Sequence, residues 1–140
     1  MSSIRTLAAA ALLCAAGAAQ AQVAVIVNPK NAAATLTADQ VAGVFLGKTR
    51  TLPGGGAATP VDQAESAAIR EQFYAKVTGK QSAQVKAAWS RLVFSGKGTP
   101  PKELASSAEV KKFVAANPDA IGYIEKSAVD GSVKAVLTVD

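Results

Sequence analysis

Residues 35–47 read Thr-Leu-Thr-Ala-Asp-Gln-Val-Ala-Gly-Val-Phe-Leu-Gly, and residues 117–124 read Asn-Pro-Asp-Ala-Ile-Gly-Tyr-Ile. The first stretch is a helix with both ends marked. Thr37 is its N-cap, Gln40 three residues on completes a capping box, and Leu36 is placed to staple against Val41. Val41, Val44 and Phe45 share one helical face, and Gly47 supplies the stop. The second stretch is a helix terminator that runs straight into a buried strand, because Asn117-Pro118 cannot continue a helix and Ala120 to Ile124 is apolar. An apolar helix face near the start and a buried strand near the end both need a common layer to pack on.

Outward from these stretches, Gln22 to Val27 is apolar and β-branched and stops at Asn28-Pro29, the pattern of a buried strand. Pro53-Gly54-Gly55-Gly56 is a hairpin turn, and Thr59-Pro60-Val61-Asp62 a short strand leading out of it. Ile69, Phe73 and Val77 recur at helical spacing until Gly79. Ser82 opens a further helix whose Val85, Trp89, Leu92 and Val93 form one stripe ending before Gly96. The segment Lys97 to Lys102, with Pro100-Pro101, reads as a loop. Ser106 and Glu109 form a second capping box for a helix carrying Val110, Phe113 and Val114. Val133 to Val139 is a last strand after a turn at Asp130-Gly131. The order is strand, helix, strand, three helices, strand, strand, which predicts an α/β fold with a mixed central sheet flanked by about four helices. No internal repeat and no long linker divides the chain.

At the N-terminus, Arg5 precedes an apolar run from Leu7 to Ala19 and a small-x-small pattern at Ala19-Gln20-Ala21. Residues 1–21 therefore read as a cleavable secretory signal peptide. Leu12-Leu13 before Cys14 lacks the small residues of a lipid-attachment site, so cleavage after Ala21 is expected. The apolar run is shorter than the roughly 20 residues that span a bilayer, and no later run is longer, so residues 22–140 are expected to be a periplasmic domain not embedded in a membrane. They contain neither Cys nor His, since Cys14 is the single cysteine and the chain has no histidine. The usual ligands of zinc, copper and haem are thus missing, as is the commonest general base. The expectation is recognition without catalysis, with no metal and no cofactor. The net charge of +5 on the whole chain is compatible with an anionic ligand. Its lysines and arginines are scattered in the sequence, without the aromatic-interleaved patch that nucleic-acid binding requires.

Leu36 to Lys48 and Asp119 to Ile124 are similar, in sequence and in order, to two motifs of the phosphate substrate-binding proteins of ABC importers. These are a leucine-serine-x-x-gln-leu-x-x-ile-phe-x-gly-lys helix and a gly-ala-ile-gly-tyr strand. The resemblance spans nearly all of residues 22–140 and implies a single periplasmic-binding-protein-like (type II) lobe. A second lobe, which supplies about half of the ligand shell in that family, has no counterpart in these residues. The family holds phosphate in an arg-x-asp-gly-ser-gly-thr loop that opens a helix, where backbone N–H groups, hydroxyls and the helix N-terminus face the anion. With Phe73 aligned to the phenylalanine after that loop, the arginine position falls on Gln63 and the acidic position on Glu65. The Gly-Ser-Gly-Thr run then becomes Ser66-Ala67-Ala68-Ile69.

The candidate ligand-binding residues are therefore Asp62, Gln63, Glu65, Ser66 and Arg70, at the carboxyl edge of the sheet where ligands of open α/β folds lie. The alternative for each is structural. Asp62 or Ser66 would cap the following helix, Glu65 would complement its dipole, and Arg70, beside Glu71 and Lys76, would belong to a solvated face. Trp89 is expected in the core and Tyr123 buried with its hydroxyl tied to a neighbour. Gly54-Gly55-Gly56 lacks the Lys-Ser or Lys-Thr of a phosphate loop, and no Gly-x-Ser-x-Gly elbow occurs. The resemblance implies weak binding of phosphate or another small oxyanion, with an ABC permease as partner. The loss of the Gly-Ser-Gly-Thr run leaves open an accessory or signalling module that binds a sensor protein or a second copy of itself.

Overall fold

The Thr37 hydroxyl accepts from the Gln40 N–H at 3.1 Å and the Gln40 side chain accepts from the Thr37 N–H at 2.9 Å, so the expected box opens helix α1 (Ala38–Phe45). Leu36 is buried in the same apolar cluster as Val41, and its N–H donates to the Val136 carbonyl at 2.9 Å, tying the entry of the helix to the last strand. The computed structural model describes residues 22–54 and 56–140. The expected signal peptide, residues 1–21, lies outside the described residues.

The remaining elements are β1 (Val23–Val27), β2 (Thr59–Gln63), α2 (Ala68–Phe73), α3 (Ser82–Phe94), β3 (Lys102–Leu104), α4 (Ser107–Ala116), β4 (Ala120–Glu125) and β5 (Lys134–Val139). The strands form one sheet in the order β3-β2-β4-β1-β5. β2 is parallel to β3 and β4, and β1 is antiparallel to β4 and β5. This is the expected mixed sheet with helices on both faces.

β1 shows why the sheet must be covered twice. All five of its residues are buried. Val23, Val25 and Val27 enter one apolar cluster with Phe45, Phe73 and Trp89 from the helices α1, α2 and α3, whereas Ala24 and Ile26 enter another with Val110 and Val114 of α4. A strand alternates its side chains between faces, so an unbroken apolar strand specifies helices above and below it. α4 packs closely against Gly122 in β4. A Cβ there would lie 2.6 Å from Val110 Cγ1 and 2.9 Å from Val61 Cγ2, so the helix rests on bare strand backbone.

The structure departs from the sequence reading in four places. β3 forms where a loop had been expected to lead into α4, because Val61, Asp62 and Gln63 of β2 offer a free edge to Lys102, Glu103 and Leu104. α2 is short and passes at Tyr74 into a π-helical turn (Tyr74–Thr78), which Gly79 ends at φ +73°. In α3, Val85 and Trp89 are buried and Leu92 packs against their cluster, but Val93 is 47 % and Phe94 95 % exposed, so the stripe ends at Leu92. At α4, Ser106 accepts from the Glu109 N–H at 3.3 Å, which is half of the expected box. A reciprocal box that the sequence reading had not found, between Gln81 and Gln84, opens α3.

Candidate functional site at the carboxyl end of β2

Val61 of β2 faces α4, so the next residue, Asp62, is turned by the strand's alternation to the opposite face. There it is 3 % exposed and its carboxylate is surrounded by donors. The Tyr74 hydroxyl donates to Oδ2 at 2.5 Å, the Tyr123 hydroxyl donates to Oδ1, and the Gln63 N–H donates to Oδ1 at 2.9 Å. The Arg70 guanidinium completes the ring, with Nη2 3.9 Å from Oδ2. Arg70 Nη1 also donates to the Gln63 carbonyl at 2.8 Å and to Glu103 Oε2 at 3.1 Å. Glu103 arrives through strand register, because β3 places it opposite Asp62.

Gln63 points back across the sheet. Its Nε2 donates to Ser107 Oγ and to the Tyr123 carbonyl, both at 2.9 Å, and the Ser107 hydroxyl donates in turn to Glu125 Oε2 at 2.6 Å. The apolar side of the cluster is aromatic. Phe73 stacks on Tyr123 with centroids 4.0 Å apart and planes at 4°, and Phe45 and Tyr74 meet them edge-on. The rings hold both hydroxyls at the carboxylate and exclude water from it.

These surroundings set the protonation states. Burial, the Asp62 charge and the hydrogen bonds to Asp62 all push the Tyr74 and Tyr123 hydroxyls far above the usual phenol value. Burial alone would lower the Arg70 guanidinium, but Asp62 and Glu103 outweigh it and the net direction is upward. Arg70 is therefore a fixed cation. Its Nε is buried and has no hydrogen-bond partner, a donor that the protein leaves unanswered. A small cavity of about 60 Å³ is lined by Asp62, Arg70, Tyr74, Lys86, Trp89 and Glu103 among others.

Of the five residues singled out in the sequence, the structure gathers Asp62, Gln63 and Arg70 into this buried cluster. Glu65 and Ser66 lie outside it, exposed on the loop between β2 and α2. Glu65 pairs with Lys86 Nζ at 2.8 Å, and the hydrogen bond and charge of Lys86 lower its pKa. Two structural alternatives are corrected. The N-cap of α2 is Ala67, with no side-chain cap bond, so neither Asp62 nor Ser66 caps the helix. Arg70 is 4 % exposed rather than on a solvated face, because Glu103 and Asp62 together compensate its charge beneath the helix. Sequence reasoning missed Glu103 and Tyr74 as members. Tyr123 does hold the expected buried, tethered hydroxyl. Among the described residues, no group of three or more His, Cys, Asp or Glu side chains could hold a metal ion, and no helix is long and apolar enough to cross a membrane.

No protein-family model matches the sequence, and no curated protein matches it. Solved structures do. A phosphate ABC transporter substrate-binding protein of Clostridium perfringens, solved with bound phosphate, superposes on 83 % of this chain with a TM-score of 0.67 at 24 % identity. An ABC-type phosphate transport receptor of Vibrio cholerae does so over the same share with a TM-score of 0.65 at 23 % identity. PstS of Borrelia burgdorferi follows at 0.60 and 14 %. The match takes in 45 %, 46 % and 47 % of those chains, so this chain spans somewhat under half the length of the structures it resembles. It shares the fold of one portion of phosphate-binding proteins.

Proposed function

We propose that this chain is an exported, periplasmic solute-binding module of the phosphate-binding-protein type. It holds phosphate or another small protonated oxyanion weakly and without catalysis, at the carboxyl end of β2 against Asp62 and Arg70, with Glu65 and Ser66 on the adjoining loop and Gln63 positioning Arg70 through its carbonyl. The observation that carries this reading is a small cavity with Arg70 and Lys86 in its wall, on a fold shared with a phosphate-bound protein. Cationic N–H donors of this kind suit an oxyanion oxygen. The carboxylates at the site outnumber its cations, since Asp62, Glu65 and Glu103 face Arg70 and Lys86. A ligand that brings protons of its own is therefore favoured over a fully ionised one, because Glu103 can accept from it.

Affinity is limited for physical reasons. Arg70 already serves two carboxylates and a carbonyl, and Ser66-Ala67-Ala68-Ile69 replaces the run of glycines and hydroxyls that would bring backbone donors to an anion. Each hydrogen bond forgone is worth roughly 0.5–3 kcal/mol. In this reading the module delivers its solute to an ABC permease. Calorimetric titration with inorganic phosphate tests the binding, with sulfate as the unprotonated comparison at neutral pH. Millimolar binding of phosphate, weaker binding of sulfate and a loss in Lys86→Gln are expected. Absence of any heat with phosphate at millimolar concentration would end the proposal.

A further inference from the structure

A second hollow, about 500 Å³ in volume, opens at the amino end of β2, between the hairpin that precedes the strand and the Lys97–Pro101 loop that follows α3. Arg50 and Lys97 are in its lining, and no Asp or Glu is. Among the described residues neither cation is in an ion pair. Arg50 Nη2 donates to the Lys97 carbonyl at 3.2 Å, which ties its guanidinium to the opposite wall and holds the charge in place. Lys102 also borders the groove, but its ammonium lies over the Phe113 ring, 5.2 Å from the centroid.

The sequence accounts for this one-sided charge. Between Asp39 and Asp62 come Lys48 and Arg50 and no carboxylate; between Glu71 and Glu103 come Lys76, Lys80, Lys86, Arg91, Lys97 and Lys102 and no carboxylate. Every residue lining the groove belongs to one of these two segments. Cations that are scattered along the chain are thus brought together by the fold, while the carboxylates go elsewhere.

Trp89 forms the apolar floor. Its Nε1 donates to the Phe45 carbonyl at 2.8 Å, and a Cβ at Gly47 or Gly98 would lie 2.9 or 3.0 Å from its ring. The backbone of both walls therefore touches the indole and fixes its plane. Val44, Pro60 and Pro100 add apolar surface. The volume falls within the roughly 300–1,000 Å³ of small-molecule sites, and an inorganic oxyanion would leave most of it unfilled.

We propose that this groove is a binding site for a small organic anion with a flat apolar body, its charge between Arg50 and Lys97 and its body over Trp89. The groove adjoins the cavity at the carboxyl end of β2, with Trp89, Pro100 and Pro101 lining both, but its cations are different ones and its proposed ligand does not depend on phosphate binding there. Trp89 is the single tryptophan of the chain and lines both the groove and the adjoining cavity, so its fluorescence reports on ligand at either, and the lysine variants tell them apart. The test is a titration with 8-anilinonaphthalene-1-sulfonate, and with N-phenyl-1-naphthylamine as the same body without the charge.

The sulfonate is expected to quench Trp89 and to bind more tightly than the neutral amine. Sodium chloride should weaken its binding as the cations are screened. Lys97→Gln, at an exposed side chain with no ion pair to lose, is expected to weaken it roughly two- to fivefold, and Arg50→Gln with Lys97→Gln further. Lys86→Gln should leave it unchanged. Equal affinity for the neutral amine, or indifference to Lys97→Gln in a variant with wild-type circular dichroism, would overturn the proposal. Displacement of the sulfonate by inorganic phosphate beyond the effect of matched sodium chloride would also overturn it, by showing one site rather than two. Failure of phosphate to bind at the carboxyl end of β2 leaves these outcomes untouched.

Discussion

The two ends of β2 treat positive charge in opposite ways. At the carboxyl end Arg70 is buried between Asp62 and Glu103, and Lys86 is answered by Glu65. At the amino end Arg50 and Lys97 line an open groove without a carboxylate. The first arrangement spends its charges on one another; the second leaves its charges for whatever enters. Removing a buried member of the first should therefore cost stability, and removing a member of the second should cost binding alone.

The largest effect is expected at Asp62. Asp62→Ala strands two tyrosine hydroxyls and a buried guanidinium, and breaking a buried pair by removing one partner costs about 3–5 kcal/mol. Against a typical total of about 5–15 kcal/mol, the urea midpoint should fall by a large fraction. A loss below about 1 kcal/mol, the level of a surface pair, would mean that the cluster is solvated and the contrast between the two ends of β2 is false.

Alkaline pH should produce the next largest effect. Tyr74 and Tyr123 are the only two tyrosines of the chain, and both donate to Asp62. Because their hydroxyls are raised in the folded chain, they stay protonated after those of the unfolded chain have ionised. Stability is whole below the ordinary tyrosine pKa of about 10 and falls as pH rises above it, by about 2.7 kcal/mol per pH unit for two groups. Tyrosinate absorbance should appear only together with unfolding. A smooth tyrosinate titration near pH 10 in a chain that remains folded would contradict the buried cluster.

Midway along β2, packing rather than charge decides. Gly122→Ala places a methyl within 2.9 Å of Val61 and 2.6 Å of Val110, and overpacking of this kind costs about 1–3 kcal/mol. The unfolding midpoint should drop while tyrosine and tryptophan fluorescence on the other face of the sheet keeps its native signature. Loss of that signature as well would show that the two faces of the sheet respond as one.

What the sequence disclosed follows the range of the interactions. The α1 box lies within three residues and the apolar run of β1 within five, so both are legible locally. Tyr123 reaches Asp62 across 61 residues, and a tethered hydroxyl could be expected without naming its partner. Arg70 was the hardest to place. Its neighbours Glu71 and Lys76 are those of a surface helix, and the partner that makes burial possible, Glu103, stands in a three-residue strand that follows two prolines and has no periodicity of its own. A strand so short is defined by the edge it joins, and the edge is a property of the fold. The amino-end groove was hidden for the same reason, since its walls come from segments about forty residues apart.

The smallest expected effects distinguish the two ends most sharply. Lys86→Gln breaks an ion pair whose partners are more than half exposed, and pairs of that kind add little to stability in water. Lys97→Gln breaks none. Neither variant should move the urea midpoint measurably, and such equality would make stability blind to the difference between them. Ligand binding should not be blind to it: Lys86→Gln is expected to weaken phosphate and spare the naphthalene sulfonate, and Lys97→Gln to do the reverse. The crossed pattern needs two places on one short strand where charge is available in different amounts. If both variants weakened both ligands alike, the cations would be acting as one diffuse field, and the short distance along β2 would separate nothing.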